Sequence, residues 1–292
     1  DIITTNNIDY YPGDHGVGDQ YTNVVAGTNQ FYFVDPVTGY QIRIALDGMT
    51  KINELYKGQF YISSLFPPYN KVFTRPNGGY AKLLGAYDFK EEEYICLGQA
   101  GINGLAQIPS FALSFNEKRN AYCSFYNLEP DWIISAEDVL YSWKEGRFYI
   151  HNNQEKRCYF YEEQFYPSIK LVFNKDVLLK KKFMSVAYQS NQIWVSDTNG
   201  DINTSTINPQ TGLRQISQLK NIKPGVDYEI QENIRYAAFL YDANSLPDPK
   251  IALLEGDYLG GNWIECNFIY KGSDFAWLYA PYVMSKPSNR NF

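Results

Sequence analysis

Along most of the chain, short apolar or aromatic runs alternate with polar turns, and the runs come in pairs with alternating character. That is the mark of antiparallel hairpins. Residues 31–35 (FYFVD), the turn 36–39 (PVTG) and residues 40–46 (YQIRIAL) form the first pair, with Asp47-Gly48 as a further turn signal. Residues 83–88 (LLGAYD) and 93–98 (EYICLG), joined by 89–92, form a second. Residues 110–116 (SFALSFN) and 121–127 (AYCSFYN), joined by 117–120, form a third. Few windows carry the helical period.

Set side by side, FVDPVTGYQIRI, AYDFKEEEYICL and SFNEKRNAYCSF share an apolar pair ending in Asp35, Asp88 or Asn116, a polar turn, and a tyrosine five or six residues later. We read these as a degenerate internal repeat; three unrelated hairpins with ordinary Asx turn chemistry are the plainer alternative. Residues 139–144 (VLYSWK) and 147–151 (RFYIH) add a pair joined at Glu145-Gly146, so 110–152 is expected to hold about four strands, the content of one propeller blade. Downstream, strands are expected at 169–174, 183–189, 193–197, 237–241, 251–254, 263–270 and 277–283, around a long polar stretch at 198–224. The Asp-turn-Tyr pattern is missing there, which suggests a sandwich-like module. The fold class expected is all-β: propeller-like blades of antiparallel hairpins over 1–165, then a β-sandwich-like module over 166–292, with the break at Pro167.

Composition narrows the chemistry. Aromatic residues make up 17% of the 292 residues, enough apolar bulk to offset ordering entropy, so intrinsic disorder is disfavoured. A formal charge of −6 offers no basic field, which argues against nucleic-acid binding over a broad face. No run approaches the length of a membrane helix, and the opening residues carry no basic-then-apolar export signal. Cys96, Cys123, Cys158 and Cys266 are widely spaced without a CxxC pair; reduced core residues are the favoured reading and a disulfide framework the lesser one.

Two histidines leave few routes to nucleophilic catalysis. His15 sits in a glycine-rich turn, PGDHGVGD, and His151 ends a strand; neither has a partner legible from spacing. The run Asp197 to Asn203 (DTNGDIN) has oxygen-bearing side chains at alternate positions, as a calcium loop does, but lacks the closing Glu and reads equally as a hairpin turn. Glu91, Glu92 and Glu93, and Glu162-Glu163, read as solvated charge runs, and Lys180, Lys181 and Lys182 as a basic triplet guarding a strand or meeting an acidic partner. No Walker loop and no dinucleotide fingerprint is present. The residues therefore assign no catalytic, cofactor-binding or metal site and no cofactor.

The ordered series YYPGDHGVGD (10–19), FYFVDPVTGYQIRIALDGMTKI (31–52), LLGAYDFKEEEYI (83–95), FALSFNEKRNAYCSFYNLEPDWI (111–133) and LYSWKEGRFYIHN (140–152) resembles the carboxy-terminal part of the large tail proteins, called stabilisation or muzzle proteins, of crAss-like bacteriophages. YPSIKLVFN (166–174), KKFMSVAYQSNQIW (181–194) and ALLEGDYLGGNW (252–263) are similar to the same family's downstream module. The resemblance spans residues 10–282. It implies a structural, non-enzymatic virion protein at the distal end of a short phage tail, forming a homo-oligomeric ring with other tail proteins as partners and open to contact with a host surface. It carries no catalytic residues across. Family members are longer, so with Asp1 in place of an initiator methionine the chain is expected to be part of a longer protein. The rival reading is a secreted propeller or sandwich glycosidase or carbohydrate binder, which needs one concave pocket with convergent carboxylates, one of them with a raised pKa.

An incomplete set of blades leaves open edges and faces. Residues 1–165 expressed alone are therefore expected to self-associate or precipitate; a monomeric peak in size-exclusion chromatography with a sharp melting transition is the contrary outcome.

Overall fold

The computed structural model describes residues 13–56, 59–152, 156–209, 211–219, 229–231 and 234–288. Residues 10–12 of the opening run, Asp1, and 210 and 220–224 of the polar stretch lie outside the described residues. Nearly all regular structure is antiparallel β, and the chain forms two compact units, residues 1–155 with 160–163, and 156–159 with 164–292. No helix among the described residues is long and apolar enough to cross a membrane.

The first unit is built on three hairpins with one turn chemistry. Gln30–Asp35 pairs with Tyr40–Ala45, Leu83–Asp88 with Glu93–Gly98, and Phe111–Asn116 with Ala121–Phe125. In each, four residues make the turn and the fourth is left-handed: Gly39 at φ 75°, Glu92 at 55° and Asn120 at 48°. The residue that ends the first strand closes the turn with its side chain. Asp35 Oδ1 accepts the amide of Val37 at 2.9 Å, Asp88 Oδ1 that of Lys90 at 3.0 Å, and Asn116 Oδ1 that of Arg119 at 2.8 Å. A short acceptor at this position satisfies turn amides that the ladder leaves free. The tyrosines of the repeat are not all equivalent. Tyr94 and Tyr122 stand opposite Tyr87 and Phe115, one step inside the turn, whereas Tyr40 stands opposite Asp35 itself. One residue of slip puts a side chain on the other face of a sheet. The inward position in the first hairpin belongs to Gln41, whose Oε1 accepts the Tyr122 hydroxyl at 2.7 Å.

Three sheets stack in layers. The first contains Val25–Ala26, Gln30–Asp35, Tyr40–Ala45 and Gly48–Lys51 in order. The central sheet contains Leu83–Asp88, Glu93–Gly98, Phe111–Asn116 and Ala121–Phe125 in order, and the outer sheet Trp132–Ala136, Val139–Lys144 and Arg147–Ile150. Leu83, Tyr87, Tyr94, Cys96, Leu113 and Phe115 line one face of the central sheet and pack on Tyr32 and Val34 of the first sheet, with Ile52, Ile62 and Phe66 from the helical connection. Leu84, Ala86, Ile95, Leu97 and Ala112 line the opposite face and pack on Ile133 and Leu140 of the outer sheet. Covered on both sides, Glu93–Gly98 is buried at every position. Its continuous run therefore reads like a strand of a doubly covered sheet.

The expectation that 110–152 forms one four-stranded blade is wrong. Phe111–Asn116 pairs in full register with Glu93–Gly98 and joins the central sheet, leaving 132–150 as a separate sheet of three strands. Long-range pairing wins because it buries both faces of the central strand. The helical connection Ile52–Leu55 and Gln59–Leu65, and the hairpin Gly101–Asn103 with Ala106–Ile108, were not legible as patterned elements.

In the second unit, one sheet orders Ser168–Phe173, Ile264–Ile269, Ile202–Ile207 and Arg214–Ser217. In the other, Lys181–Ser190 pairs with Ile234–Ala238, Gly260–Gly261 and Leu278–Pro287. Phe183, Val186 and Tyr188 of the latter share one core with Ile202, Ile264, Cys266 and Phe268 of the former. The Tyr188 hydroxyl donates to Trp194 O at 2.9 Å and accepts the Trp194 amide at 3.0 Å, fixing the loop at that end of the core. Two expectations fail here. Residues 251–254 lie in a helix, Pro249–Glu255, because Asp248 caps the Lys250 amide and Pro249 suits the first turn. Of 193–197 only Val195 bridges a strand, at Ile269. The polar stretch holds Ile202–Ile207 and Arg214–Ser217, whose inward Thr204, Gln215 and Ser217 are buried but hydrogen-bonded: Thr204 Oγ1 donates to Gln215 Oε1 at 3.2 Å.

Gly98 marks the tightest approach to the central sheet. A Cβ there would lie against the Tyr69 hydroxyl, which donates to Gln99 O at 3.0 Å, and against the edge of the Phe111 ring. Gly98→Ala is expected to lower stability by about 1–3 kcal/mol as rings and backbone shift; urea denaturation followed by circular dichroism tests it, and an unchanged midpoint refutes the packing account.

Candidate interaction face

The three strands of the outer sheet place their odd and even residues on opposite faces. Trp132 stands opposite Trp143 and Trp143 opposite Phe148; Ile134 stands opposite Tyr141 and Tyr141 opposite Ile150; Ala136 stands opposite Val139. These rows form one face. Its large members remain open to solvent: Trp132 is 42% exposed, Ile134 46%, Trp143 37%, Phe148 53% and Ile150 60%. The rings are ordered against each other, with Tyr141 and Phe148 stacked at 5.2 Å and Trp143 and Phe148 at 4.8 Å between centroids. No position on this face is charged, in a chain where 20% of residues are. Scattered exposed hydrophobics are ordinary, but a contiguous uncharged patch of this kind marks an interaction surface. The signal was present in WIISA, VLYSWK and RFYI. Apolar residues occupy both alternating phases, as in a sheet covered on both sides, while among the described residues of the first unit only one side is covered.

The covered side of the same sheet carries the cluster that most resembles catalytic machinery. Ser142 Oγ lies 2.7 Å from His151 Nε2 and 3.1 Å from the Tyr161 hydroxyl. A Ser–His pair at this distance has the first geometric requirement of an activated nucleophile. It lacks the others. Ser142 is fully buried, and among the described residues no carboxylate is hydrogen-bonded to His151 Nδ1. Burial lowers the His151 pKa to about 4, against a partial opposing pull from Asp88. Asp88 in turn holds the Lys90 amide and, at 2.6 Å, the Asn152 side-chain amide. The cluster locks the outer sheet to the segment that ends the unit, helped by the edge contact of Tyr149 with Tyr161 at 5.0 Å and by Arg147 bound to both Glu162 oxygens at 2.9 Å.

The other sequence candidates are placed as follows. His15 Nδ1 lies 3.1 Å from Asp35 Oδ2, beside the Tyr40 ring, so the glycine-rich loop is pinned to the first turn of the repeat. Burial alone would raise the Asp35 carboxyl, but hydrogen bonds from Thr38, His15 and two turn amides outweigh it and hold the carboxyl below its usual range. In the Asp197 to Asn203 loop, Asp197 Oδ2 pairs with Lys271 at 2.6 Å and Asp201 accepts from the Thr198 amide and Asn267, while Asp197 Oδ1 is buried without a hydrogen-bond partner among the described residues. Among the described residues no three His, Cys, Asp or Glu side chains group as a metal site would require.

Both charge runs need correction. Glu91 and Glu92 are exposed, but Glu93 is buried in its strand and accepts the Tyr126 hydroxyl at 2.9 Å. In the lysine triplet, Lys181 is buried, its ammonium donating to the carbonyls of Lys175 and Asp176, and Lys182 lies over the Tyr258 ring. Cys96 and Cys266 are buried and free, whereas Cys123 is exposed at the bulge of the edge strand Ala121–Phe125 and is no core residue.

A cleft of about 160 Å³ in the first unit gathers Arg75, Gln99, Glu129, Asp131, Lys144 and Glu145. Burial would raise Asp131, but the Arg75 guanidinium at 2.6 Å and the Glu145 amide hold it below the usual range. In the second unit, burial raises the Asp242 carboxyl, which is fully enclosed and accepts the amides of Ile216 and Asn244. These groups close turns and pair charges. Comparison of the chain with protein-family models and with curated proteins gives no match.

The low His151 pKa gives a signed expectation. The unfolded chain takes up a proton as pH falls through about 6.5, while the folded unit does so only near pH 4, so stability is full above pH 6.5 and is lost between the two. At about 1.4 kcal/mol per unit the loss is on the order of 3 kcal/mol. Thermal melts from pH 7 to 4.5 should show a falling Tm whose slope shrinks in His151→Gln; an identical slope in the variant rules out the histidine as its source.

Proposed function

We propose that this chain is a structural subunit of the tail of a short-tailed bacteriophage, a virion protein that works through subunit interfaces in a ring with other tail proteins. The observation that carries the reading is the uncharged face of the outer sheet, where two tryptophans, a phenylalanine and two isoleucines stand open to solvent. Aromatic side chains are enriched, and charged ones depleted, at the centre of protein interfaces. A protein that functions alone gains nothing from that surface and risks aggregation.

Two further features support it. The first unit stacks antiparallel meanders face to face with a recurring four-residue turn, in the manner of propeller blades; the second sets two sheets around one core, in the manner of a sandwich. Such parts agree with the ordered series of segments that resembles the phage muzzle proteins. The acids and histidines brought together by the fold serve turns, caps and charge pairs, so no step of catalysis is derived from them.

The aromatic rows lend some weight to a carbohydrate platform, since rings on a flat sheet can stack on sugars. Sugars also need hydrogen-bonding groups beside the rings. Here the neighbours are Ile134, Ile150 and Val139 with the Tyr141 hydroxyl as the one polar side chain among them, which suits a protein surface better.

Electron microscopy of the native phage particle is expected to place this density in the tail with the outer sheet buried against another chain. A particle whose tail leaves that sheet bare, or glycoside turnover abolished by replacing one carboxylate pair, overturns the proposal.

A further inference from the structure

The exposed face has a property beyond being apolar: it holds no charge that a second copy of itself would repel. An isologous contact sets each patch against its own copy, so any charge near the centre meets a like charge across the two-fold axis. The rows Trp132–Trp143–Phe148 and Ile134–Tyr141–Ile150 contain none. The face is also one side of a regular three-stranded sheet whose other side already packs against a sheet, through Ile133 and Leu140 on Leu84, Ala86 and Leu97. Sheets pack face to face about 10 Å apart when both inner surfaces present interdigitating side chains. A second outer sheet laid on the first would continue the layering that the unit already shows.

Area decides whether such a contact can hold. Large side chains cover about 150–250 Å² each, and the five open ones are about half exposed, so the face offers roughly 500 Å² per copy and about 1,000 Å² for a pair. That is the lower bound for a specific interface. The rest of the unit's apolar surface is less suited. A groove of about 550 Å³ beside Ala121–Phe125, lined by Leu55, Tyr61, Ile62, Tyr122 and Phe125, is concave, with a bulge in its edge strand, so it cannot match its own copy.

We infer that two copies of this chain associate through their outer sheets, Trp132–Ala136, Val139–Lys144 and Arg147–Ile150, packed face to face about a two-fold axis. The inference rests on the reading of this face as a subunit interface and names its occupant: a second copy. The contact closes at two chains, so the larger ring proposed for the particle draws on another surface for its growth. An interface at this lower bound belongs to the weak, transient class, so the dimer is expected to form only at high protein concentration.

Sedimentation velocity of the full chain over a concentration series tests it, with Phe148→Glu and Ile150→Glu as face variants and Leu105→Glu, at an exposed hairpin tip, as a control. Circular dichroism melts establish that each variant is folded. A concentration-dependent dimer in the wild type and the control, weakened about tenfold or more in both face variants by a buried unpaired carboxylate, is the expected result. A dimer indifferent to the face variants overturns the inference. A chain monomeric throughout also overturns it, and the binding of an apolar fluorescent dye then separates the two readings. Dye binding lost in Phe148→Glu leaves an open face that serves a different partner and spares the proposed function; no dye binding removes the interface reading as well.

Discussion

The first unit depends on one contact, the stack of Tyr32 from the first sheet on Tyr94 from the central sheet, with ring centroids 4.6 Å apart and Tyr87 on Tyr32's other flank at 5.9 Å. Tyrosine brings apolar area and a hydroxyl that must be satisfied. The Tyr32 hydroxyl donates to Glu117, at the turn of the third hairpin, and Glu117 also accepts from Arg43 of the first sheet at 2.7 Å. Burial first, and then the Glu117 carboxylate, raise the Tyr32 pKa well above that of a free phenol, so the ring stays a neutral donor. One stacked pair thus sets the spacing between two sheets while its polar end ties the third hairpin's turn to the strands of the first sheet. The remainder of the core, from Ile52 to Phe66 and Leu113, fills the space that this spacing defines.

The outer layers follow from what the central sheet leaves unsatisfied. The middle of its second face is aliphatic, Leu84, Ala86, Ile95, Leu97 and Ala112, with Asp88, Glu93 and Asn116 at the turn end, and needs a largely apolar cover. The outer sheet supplies one with Ile133 and Leu140, and Ser135 accepts the Tyr87 amide at 3.1 Å, where the central sheet's edge would otherwise leave a donor unpaired. Covering the central sheet in this way leaves the outer sheet's own far face apolar and, among the described residues of the first unit, uncovered. The candidate interface is therefore the remainder of a layered design.

The hairpins around Asp35, Asp88 and Asn116 were legible because turn chemistry is local: an acceptor, four turn residues and alternation on either side determine the pairing. What sequence could not show was which hairpin joins which sheet. Residues 111–125 pair backwards with 93–98 across an intervening hairpin, and 132–150 stand apart, because that choice depends on burying both faces of one strand. Local reading also failed where burial is polar. Thr204, Gln215 and Ser217 are interior residues in a stretch whose composition reads as loop, and only their hydrogen bonds, Thr204 to Gln215 and Ser217 to the Leu240 carbonyl, reveal why they are tolerated. The candidate face was half legible. Its residues were visible as strand residues, but exposure is a property of what else the chain supplies, and alternation alone does not say that the second cover is missing.

The two interfaces of the central sheet are unequal in kind. Toward the first sheet, rings interlock and a carboxylate is shared by Tyr32 and Arg43; toward the outer sheet, aliphatic side chains meet Ile133 and Leu140, and polar bonds hold the rim, Ser135 to the Tyr87 amide and Asn152 to Asp88. Amides of Glu93–Gly98, buried at every position, reach solvent only when one of these layers lifts. The layer that presents Trp132, Trp143 and Phe148 is thus bolted at its rim as well as seated on its face, by Arg75 on Asp131 at one end and Asn152 on Asp88 at the other. A push on the exposed rings is carried straight into the strands that the tyrosine clamp holds.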